Sequence, residues 1–168
     1  MPWFSRLSLA IPQIGDSSNL DEDNKVRELD DRRRQAIAPL IVEHDVFWSR
    51  GQIGFTEFPP GERDQYPPSP QRLVRLHPGS KRKTLYLSAH ASHVIGWPVA
   101  DGRLLLWDLT AHATQLQFVY SHTWRVGDLM IWDNRCTMHR GRPHDETQPR
   151  DLRRATTLDT ASTLDQAA

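Results

Sequence analysis

Alternating apolar and polar positions divide the chain into short predicted strands. Residues 3–12 alternate in part and end at Pro12, which predicts one strand. The clearest alternation predicts a β-hairpin, with strands at Arg72–His77 and Lys83–Ser88 around a turn at Pro78-Gly79-Ser80. Three further strands are predicted towards the C-terminus, at residues 118–124, 128–132 and 150–158.

Helical spacing is confined to two segments. An aspartate within Leu29-Asp30-Asp31 is placed to cap a helix whose spaced positions run as far as His44, although Pro39 predicts a kink or two short helices. Residues 100–114 predict a second helix that Asp101 begins. The proline-rich residues 50–70 predict a surface loop.

The predicted strands outnumber the helices, and the helices fall in insertions. We therefore expect a mainly β fold with helical insertions, as an antiparallel sandwich or barrel. The 168 residues are enough for one domain, which we place at residues 1–158, followed by a flexible tail at residues 159–168 of small and polar residues. Because a strand begins almost at Met1, the domain is expected to be incomplete at its N-terminus.

Charge and composition exclude several classes of function. The 21 basic and 21 acidic residues give no net charge, so no overall field favours nucleic acid or an anionic membrane. Cys136 is the sole cysteine, which excludes an internal disulfide. No apolar run approaches the roughly 18 residues of a membrane span, and Arg6 interrupts the apolar N-terminal stretch, which argues against a signal peptide. We expect a soluble, cytoplasmic protein.

A histidine and two arginines mark the C-terminal third as the candidate site. His139 follows a polar turn after an apolar run; a histidine in this position is by itself more often structural than a ligand. Arg150 and Arg154 share one face of the predicted last strand, because side chains alternate along a strand. Two guanidinium groups on one face suit a carboxylate ligand, while surface charge is the alternative, which Arg153 is expected to supply.

The motifs in this region closely resemble the C-terminal signature of the TauD/TfdA family, the iron(II)- and 2-oxoglutarate-dependent dioxygenases. They are Trp132-Asp133-Asn134-Arg135, Thr137-Met138-His139 and Arg150-Asp151-Leu152-Arg153-Arg154-Ala155-Thr156. Gly15-Asp16-Ser17 and Phe118-Val119-Tyr120 are also similar to the family, so the resemblance spans roughly residues 15–158. It implies a double-stranded β-helix, or jelly roll.

The resemblance also implies a role for each site residue. His139 takes the position of an iron ligand, and Arg150 that of the arginine that binds the distal carboxylate of 2-oxoglutarate. Ser17 replaces a threonine whose hydroxyl holds the same co-substrate. Trp132 is implied to line the co-substrate site, and Arg154 to contact the acidic group of the substrate or the co-substrate. His90 and His93 flank a loop that is implied to contact the substrate.

The implied reaction is oxidative decarboxylation of 2-oxoglutarate by dioxygen at Fe(II), coupled to hydroxylation or oxidative cleavage of a small acidic substrate. A sulfonate or a carboxylate would suit Arg154. No nucleic-acid or membrane partner is expected, and a homo-oligomer is compatible with the sequence. The sequence does not identify the substrate.

One family motif is missing. The other histidine and the carboxylate of the iron site come from a His-x-Asp motif, and these 168 residues contain none. Met1 is expected to lie just after the place of that motif. His144-Asp145-Glu146 is a weak substitute, and a thiol–base pair of Cys136 and His139 is a weaker alternative chemistry.

With two of three ligands missing, the chain as written is expected to bind iron poorly. The rival hypothesis is therefore a truncated, non-catalytic remnant. Such a remnant would keep the 2-oxoglutarate carboxylate clamp and act as a binding or oligomerisation module.

Overall fold

The structure is a computed structural model that describes residues 6–10, 13–14, 29–141, 147, 151–159 and 161–165. Its strands, in chain order, are β1 (Arg6–Ala10), β2 (Gln13–Ile14), β3 (Ile41–His44), β4 (Ser69–Arg72), β5 (Val74–Leu76), β6 (Lys83–Leu85), β7 (Ala91–Val94), β8 (Val119–Thr123) and β9 (Met138–Gly141). Its α-helices are α1 (Asp31–Ile37), α2 (Val46–Gly51), α3 (Glu62–Gln65) and α4 (Val99–Ala113), with a 3₁₀ turn at Leu116–Phe118.

The described strands form three antiparallel sheets of three strands each, in the orders β8-β1-β9, β2-β6-β5 and β4-β3-β7. The predicted hairpin is confirmed as β5 and β6, with Val74 opposite Leu85. The strands predicted at residues 3–12 and 118–124 are confirmed as β1 and β8. Both pair across long stretches of sequence, so β1 brings β8 and β9 together.

The core lies between the two sheets that contain β5 and β7 and the helices α1 and α4. Its buried apolar residues are Leu29, Ile37, Val42, Leu73, Val74, Leu85, Leu87, Ala91, Val94, Leu106, Leu109 and Ala113. The helix predicted at residues 100–114 is confirmed as α4, which packs against β7. Its predicted start at Asp101 is wrong, because α4 begins at Val99 and Asp101 lies inside its first turn. Because β9 lies at the edge of this core, its Met138 packs on the core while the next residue, His139, is exposed.

Gly102 allows α4 to approach β7 closely. A Cβ atom built on Gly102 would lie 2.9 Å from the backbone nitrogen of Val94. We expect Gly102→Ala to lower the free energy of unfolding by about 1–2 kcal/mol. The overpacking exceeds the gain of at most about 1 kcal/mol in helix propensity. Urea unfolding followed by circular dichroism measures the change.

The matched control is Gly51→Ala at the end of α2. A Cβ atom on Gly51 meets no atom within 4 Å, so the same substitution is expected to leave stability unchanged or slightly higher. Equal effects at the two glycines would contradict the close approach of α4 to β7.

The helix predicted from Asp30 to His44 is only half correct. The predicted aspartate cap of α1 is Asp30, with its Oδ1 accepting a hydrogen bond from the backbone N–H of Arg33 at 2.8 Å. The helix then ends at Ile37, and residues 41–44 form β3 instead. Pro39 breaks the helix, and β3 gains backbone partners on both sides from β4 and β7. Within the predicted loop at residues 50–70, α3 forms and β4 begins.

Two predicted strands are absent from the described residues. Residues 128–132 and 151–158 form neither a strand nor a helix. Leu129 and Ile131 keep the predicted alternation but are 85% and 86% exposed. A strand needs a hydrogen-bonded neighbour, and the structure describes none for either segment.

The described residues therefore form a mixed structure of antiparallel sheets and helices. None of the helices among them is both long and apolar enough to cross a membrane. In the predicted tail, Thr163 is buried, and its hydroxyl accepts a hydrogen bond from the backbone N–H of Arg72 at 3.1 Å. This part of the tail packs on β4, and the domain boundary at residue 158 stays a prediction.

Candidate functional site

His139 lies on β9, opposite Leu9 of the central strand β1. Its ring centre lies 5.1 Å from that of Trp132, with the two planes tilted by 48°. Although the residue is largely exposed, partial enclosure by its neighbours and then the positive charge of Arg154 lower the pKa of His139. The neutral imidazole, which is the form that binds metals, is therefore favoured.

Asn134 orients Trp132. The indole Nε1 of Trp132 donates a hydrogen bond to Oδ1 of Asn134 at 2.8 Å. The described hydrogen bond of Asn134 is with Trp132, so this side chain acts on the aromatic ring beside the histidine.

The turn before His139 is fastened by an ion pair. The Asp133 carboxylate accepts hydrogen bonds from Nε and Nη2 of Arg135, the latter at 2.7 Å, and lies 3.0 Å from Nε2 of His77 at the end of β5. The hydrogen bonds from Arg135 hold the pKa of Asp133 well below its usual range. The hydrogen bond with His77 lowers this pKa further. The turn is thus tied to the β5–β6 hairpin. The sequence did not single out His77, because nothing local marks a contact so distant along the chain.

His77, Asp133 and Cys136 form the one group of three metal-binding donors found within the described part of the chain, with donor atoms within 4.8 Å of one another. Both oxygens of Asp133 already accept hydrogen bonds from Arg135, whose positive charge opposes a cation at the same place. The group is better explained as a structural tie than as a metal centre. The described hydrogen bonds of the Cys136 thiol are with Asp133 and Thr137, and none is with His139.

A buried ion pair anchors the segment that carries Arg154. Arg75 on β5 is 1% exposed, donates from Nη2 to Oδ2 of Asp159 at 2.8 Å, and lies over the Tyr86 ring at 5.0 Å. Asp159 ends the described segment 151–159, so this pair holds the segment against the core. The sequence did not single out Arg75, which looks like an ordinary polar position of a hairpin strand.

The structure describes two of the three arginines discussed from the sequence. Arg154 is exposed, and its positive charge lowers the pKa of His139. Arg153 lies 3.5 Å from Asp151 on the surface, in agreement with the surface role predicted for it. Arg150, Ser17 and the segment His144-Asp145-Glu146 lie outside the described residues.

His93 lies on β7 and His90 in the turn just before it, so both are on a different part of the structure from His139 on β9. Nδ1 of His90 is 2.7 Å from the Ser49 hydroxyl of α2, and Nδ1 of His93 is 3.0 Å from the Ser92 hydroxyl. The contacts described for these two histidines do not include His139. Their role in substrate binding stays a prediction.

His44 was predicted to close a helix but ends β3, where it is partly buried. Its ring stacks on Tyr86 at 5.2 Å, and Nδ1 lies 3.1 Å from the Ser88 hydroxyl. Nε2 is buried with no hydrogen-bond partner among the described residues. Burial first, and then the nearby His90, lower the pKa of His44 from 6.5 to about 4. The folded protein therefore resists protonation here.

This lowered pKa predicts a loss of stability in mild acid. Between pH 6.5 and about 4 the unfolded chain binds a proton at His44 that the folded chain does not bind, so stability falls as the pH falls. Lowering the pH from 7 to 5 is expected to remove about 2 kcal/mol through this residue. Urea unfolding of the wild type and of His44→Gln over this pH range isolates the effect. Parallel pH profiles for the two proteins would contradict it.

The described residues fit one ligand of an iron site and not a complete set. His139 belongs to none of the three-donor groups in the described ranges. The facial arrangement of two histidines and one carboxylate needs two further donors.

Comparison with known proteins gives consistent matches over most of the chain. The family model described as "Taurine catabolism dioxygenase TauD, TfdA family" matches residues 14–156. An alpha-ketoglutarate-dependent 2,4-dichlorophenoxyacetate dioxygenase of Burkholderia sp. (strain RASC) is 46% identical over 157 residues, which are 92% of this chain and 53% of that protein. One with the same name from Cupriavidus pinatubonensis is 47% identical over 160 residues, 94% of this chain and 56% of its own.

A solved structure agrees with the sequence matches. The crystal structure of AAD-2 in complex with Mn(II) and N-oxalylglycine superposes with a TM-score of 0.82 at 44% identity, covering 96% of this chain and 60% of that one. The chain spans about half the length of the curated relatives it matches. From the family match across residues 14–156 and these identities, the chain belongs to the TauD/TfdA family of dioxygenases.

Proposed function

We propose that this chain forms part of the site of an iron(II)- and 2-oxoglutarate-dependent dioxygenase that hydroxylates or oxidatively cleaves a small organic acid. Within the sulfonates and carboxylates expected from the sequence, the proposed substrate class is the aryloxyalkanoates. The names of two relatives, which act on 2,4-dichlorophenoxyacetate, support this choice. We also propose a jelly-roll arrangement for the complete domain and a cytoplasmic location.

The observation that carries the proposal is the grouping of a ligand, an aromatic wall and a cation. His139 contacts the Trp132 ring, and the charge of Arg154 acts on the same imidazole. These three residues come from β9, from the residues just before its preceding turn, and from the segment 151–159. The contacts of Asp133 with His77 and of Asp159 with Arg75 hold the turn and the segment in place. Pre-organised side chains of this kind favour binding of an anionic ligand next to a metal ligand.

The residues have separate proposed roles in binding and orientation. His139 is one iron ligand, and no described residue is assigned as either of the other two. Arg150 and Ser17 bind 2-oxoglutarate by family resemblance, and Trp132 lines the co-substrate site. Arg154 binds the carboxylate of the substrate through a charge-assisted hydrogen bond. When bound, Fe(II) with 2-oxoglutarate and dioxygen supplies the oxidising power.

Arg154 and Arg153 give a matched test of the substrate class. Succinate release is measured with Fe(II), 2-oxoglutarate and either phenoxyacetate or an alkyl sulfonate. Phenoxyacetate is expected to stimulate release more strongly. Arg154→Gln should lower kcat/KM for phenoxyacetate by about 10- to 100-fold, the loss of one charge-assisted hydrogen bond, while Arg153→Gln leaves it unchanged. Equal effects of the two substitutions would contradict the role of Arg154.

The rival function, a non-catalytic remnant, is favoured because His139 belongs to none of the three-donor groups among the described residues. It predicts that the 168-residue chain binds 2-oxoglutarate in a calorimetric titration but releases no succinate under any of these conditions. Succinate release that requires phenoxyacetate would exclude the remnant, and 2-oxoglutarate binding without release would exclude the dioxygenase activity of this chain.

A further inference from the structure

The sheet β8-β1-β9 carries Tyr120 and His139 in the same row. Leu9 of the central strand β1 lies opposite Tyr120 on β8 and opposite His139 on β9. Residues directly opposite each other in neighbouring strands point to the same side of a sheet. Tyr120 is 56% exposed and His139 is also exposed, so both side chains lie on the exposed face of this sheet.

The hydroxyl of Tyr120 is held by a chain of hydrogen bonds. It lies 3.3 Å from Nδ1 of His122, and Nε2 of His122 lies 2.9 Å from Oδ2 of Asp128. The same carboxylate oxygen accepts a hydrogen bond from the backbone N–H of Arg125 at 2.9 Å. A carboxylate only accepts, so in the neutral imidazole of His122 the Nε2–H donates to Asp128 and Nδ1 accepts from the tyrosine hydroxyl.

This arrangement leaves the aromatic ring of Tyr120 as the part that a ligand can contact. The ring of Trp124 meets that of His122 edge-on, at 4.9 Å and 89°, which restricts rotation of the imidazole. The proton of the Tyr120 hydroxyl is donated within the chain and is not offered to a ligand. A ring that is held in place before binding loses little conformational entropy when a ligand packs on it.

We propose that Tyr120 is a specificity-determining residue whose ring packs on the aromatic group of an aryloxyalkanoate substrate. This inference rests on the proposed function and names the residue that selects the aryl group. Neighbouring strands are about 4.8 Å apart, so residues two strands apart in one row are separated by roughly 10 Å. Aromatic rings pair with their centres about 4.5–7 Å apart, so one flat ring fits between Tyr120 and His139, over β1.

The charges on this face favour the aromatic end of such a substrate at Tyr120 and its carboxylate elsewhere. The carboxylate of Asp128 is negative at neutral pH and would repel an anion near Tyr120. The positive charge that acts on His139 comes from Arg154, which is the proposed contact of the substrate carboxylate. An aryloxyalkanoate has one charged end and one aromatic end, which match these two contacts.

Titration with two acids of the same charge tests the proposal. Phenoxyacetate and its aliphatic counterpart butoxyacetate are titrated by calorimetry into the 168-residue chain with Fe(II) and 2-oxoglutarate, without oxygen. Tyr120→Leu is expected to weaken phenoxyacetate binding by about 5- to 10-fold, the contribution of one aromatic pair, and butoxyacetate binding by less than about 2-fold. The controls are Tyr120→Phe, which keeps the ring, and Thr123→Val on the opposite face of β8. Both should stay within about 3-fold of the wild type for either acid.

The possible results separate this inference from the proposed function. Unchanged phenoxyacetate affinity in Tyr120→Leu, an equal loss for both acids, or an equal loss in Tyr120→Phe would each overturn the role of the ring. The proposed substrate class would survive each of these results, because the wild type would still bind phenoxyacetate. A wild-type chain that binds neither acid would contradict the substrate class and this inference together.

Fluorine NMR gives a second measurement that does not require a weakened variant to fold. The tyrosines of the chain are Tyr66, Tyr86 and Tyr120, which 3-fluorotyrosine labels together, and Tyr120→Phe assigns the third resonance. With diamagnetic Zn(II) in place of Fe(II), the ring current of phenoxyacetate is expected to shift the Tyr120 resonance, and butoxyacetate to leave it nearly unchanged. Tyr66, which is exposed at the end of α3, should respond to neither acid. An equal shift with both acids, or no shift at Tyr120 with phenoxyacetate, would overturn the contact.

Discussion

Asp159→Asn is expected to lower the free energy of unfolding by about 2–3 kcal/mol. The substitution leaves the charge of the nearly fully buried Arg75 facing a neutral amide. Removing one partner of a buried ion pair is more harmful than removing both, because the remaining charge has lost its water as well as its counter-charge. The partial exposure of Asp159 places the effect at the lower end of the range for buried pairs.

The double variant Arg75→Met/Asp159→Asn tests this explanation. It should recover at least about 1 kcal/mol of the loss, because the buried charge is then absent and methionine fills the space over Tyr86. Urea unfolding of the single and double variants gives the coupling energy. The exposed pair of Arg153 and Asp151 is the control, and breaking it should produce no measurable change. Additive effects at Arg75 and Asp159 would contradict a direct interaction.

His139→Ala is expected to have the largest effect on activity. The substitution removes the proposed iron ligand, and any succinate release that depends on 2-oxoglutarate should fall by about 100-fold or more. Loss of a residue that merely supports a ligand already costs about 10- to 100-fold. The absorption band of the Fe(II)–2-oxoglutarate complex, measured in anaerobic titration, should be lost together with the activity.

His77→Ala is the matched control for the metal assignment. If iron were held by the group of His77, Asp133 and Cys136, this substitution would remove the absorption band and His139→Ala would leave it in place. We expect the opposite result, with His77→Ala lowering stability through the loss of its contact with Asp133. Succinate release that survives His139→Ala would show that His139 is not the ligand. In the wild-type chain, a band as strong as that of a complete two-histidine, one-carboxylate site would contradict the presence of only one ligand.

The sequence by itself determined the elements that depend on neighbouring residues. The β5–β6 hairpin, the Asp30 cap of α1 and the length of α4 follow from turn residues, a side-chain acceptor and helical spacing, all of which act over a few positions. The candidate site was found for the same reason. Trp132 and His139 belong to one short motif whose order along the chain identifies it without any knowledge of the fold.

Only the tertiary structure decided which segments gain partners. Residues 41–44 continue a helical pattern but form a strand, because β4 and β7 lie on both sides of them. Residues 128–132 have the alternation of a strand but remain unpaired, because the described residues place no neighbour beside them. The contacts of His77 with Asp133 and of Arg75 with Asp159 likewise join residues that are distant along the chain. Local propensity predicts the conformations that a segment favours, whereas hydrogen bonding and burial against distant segments select among them.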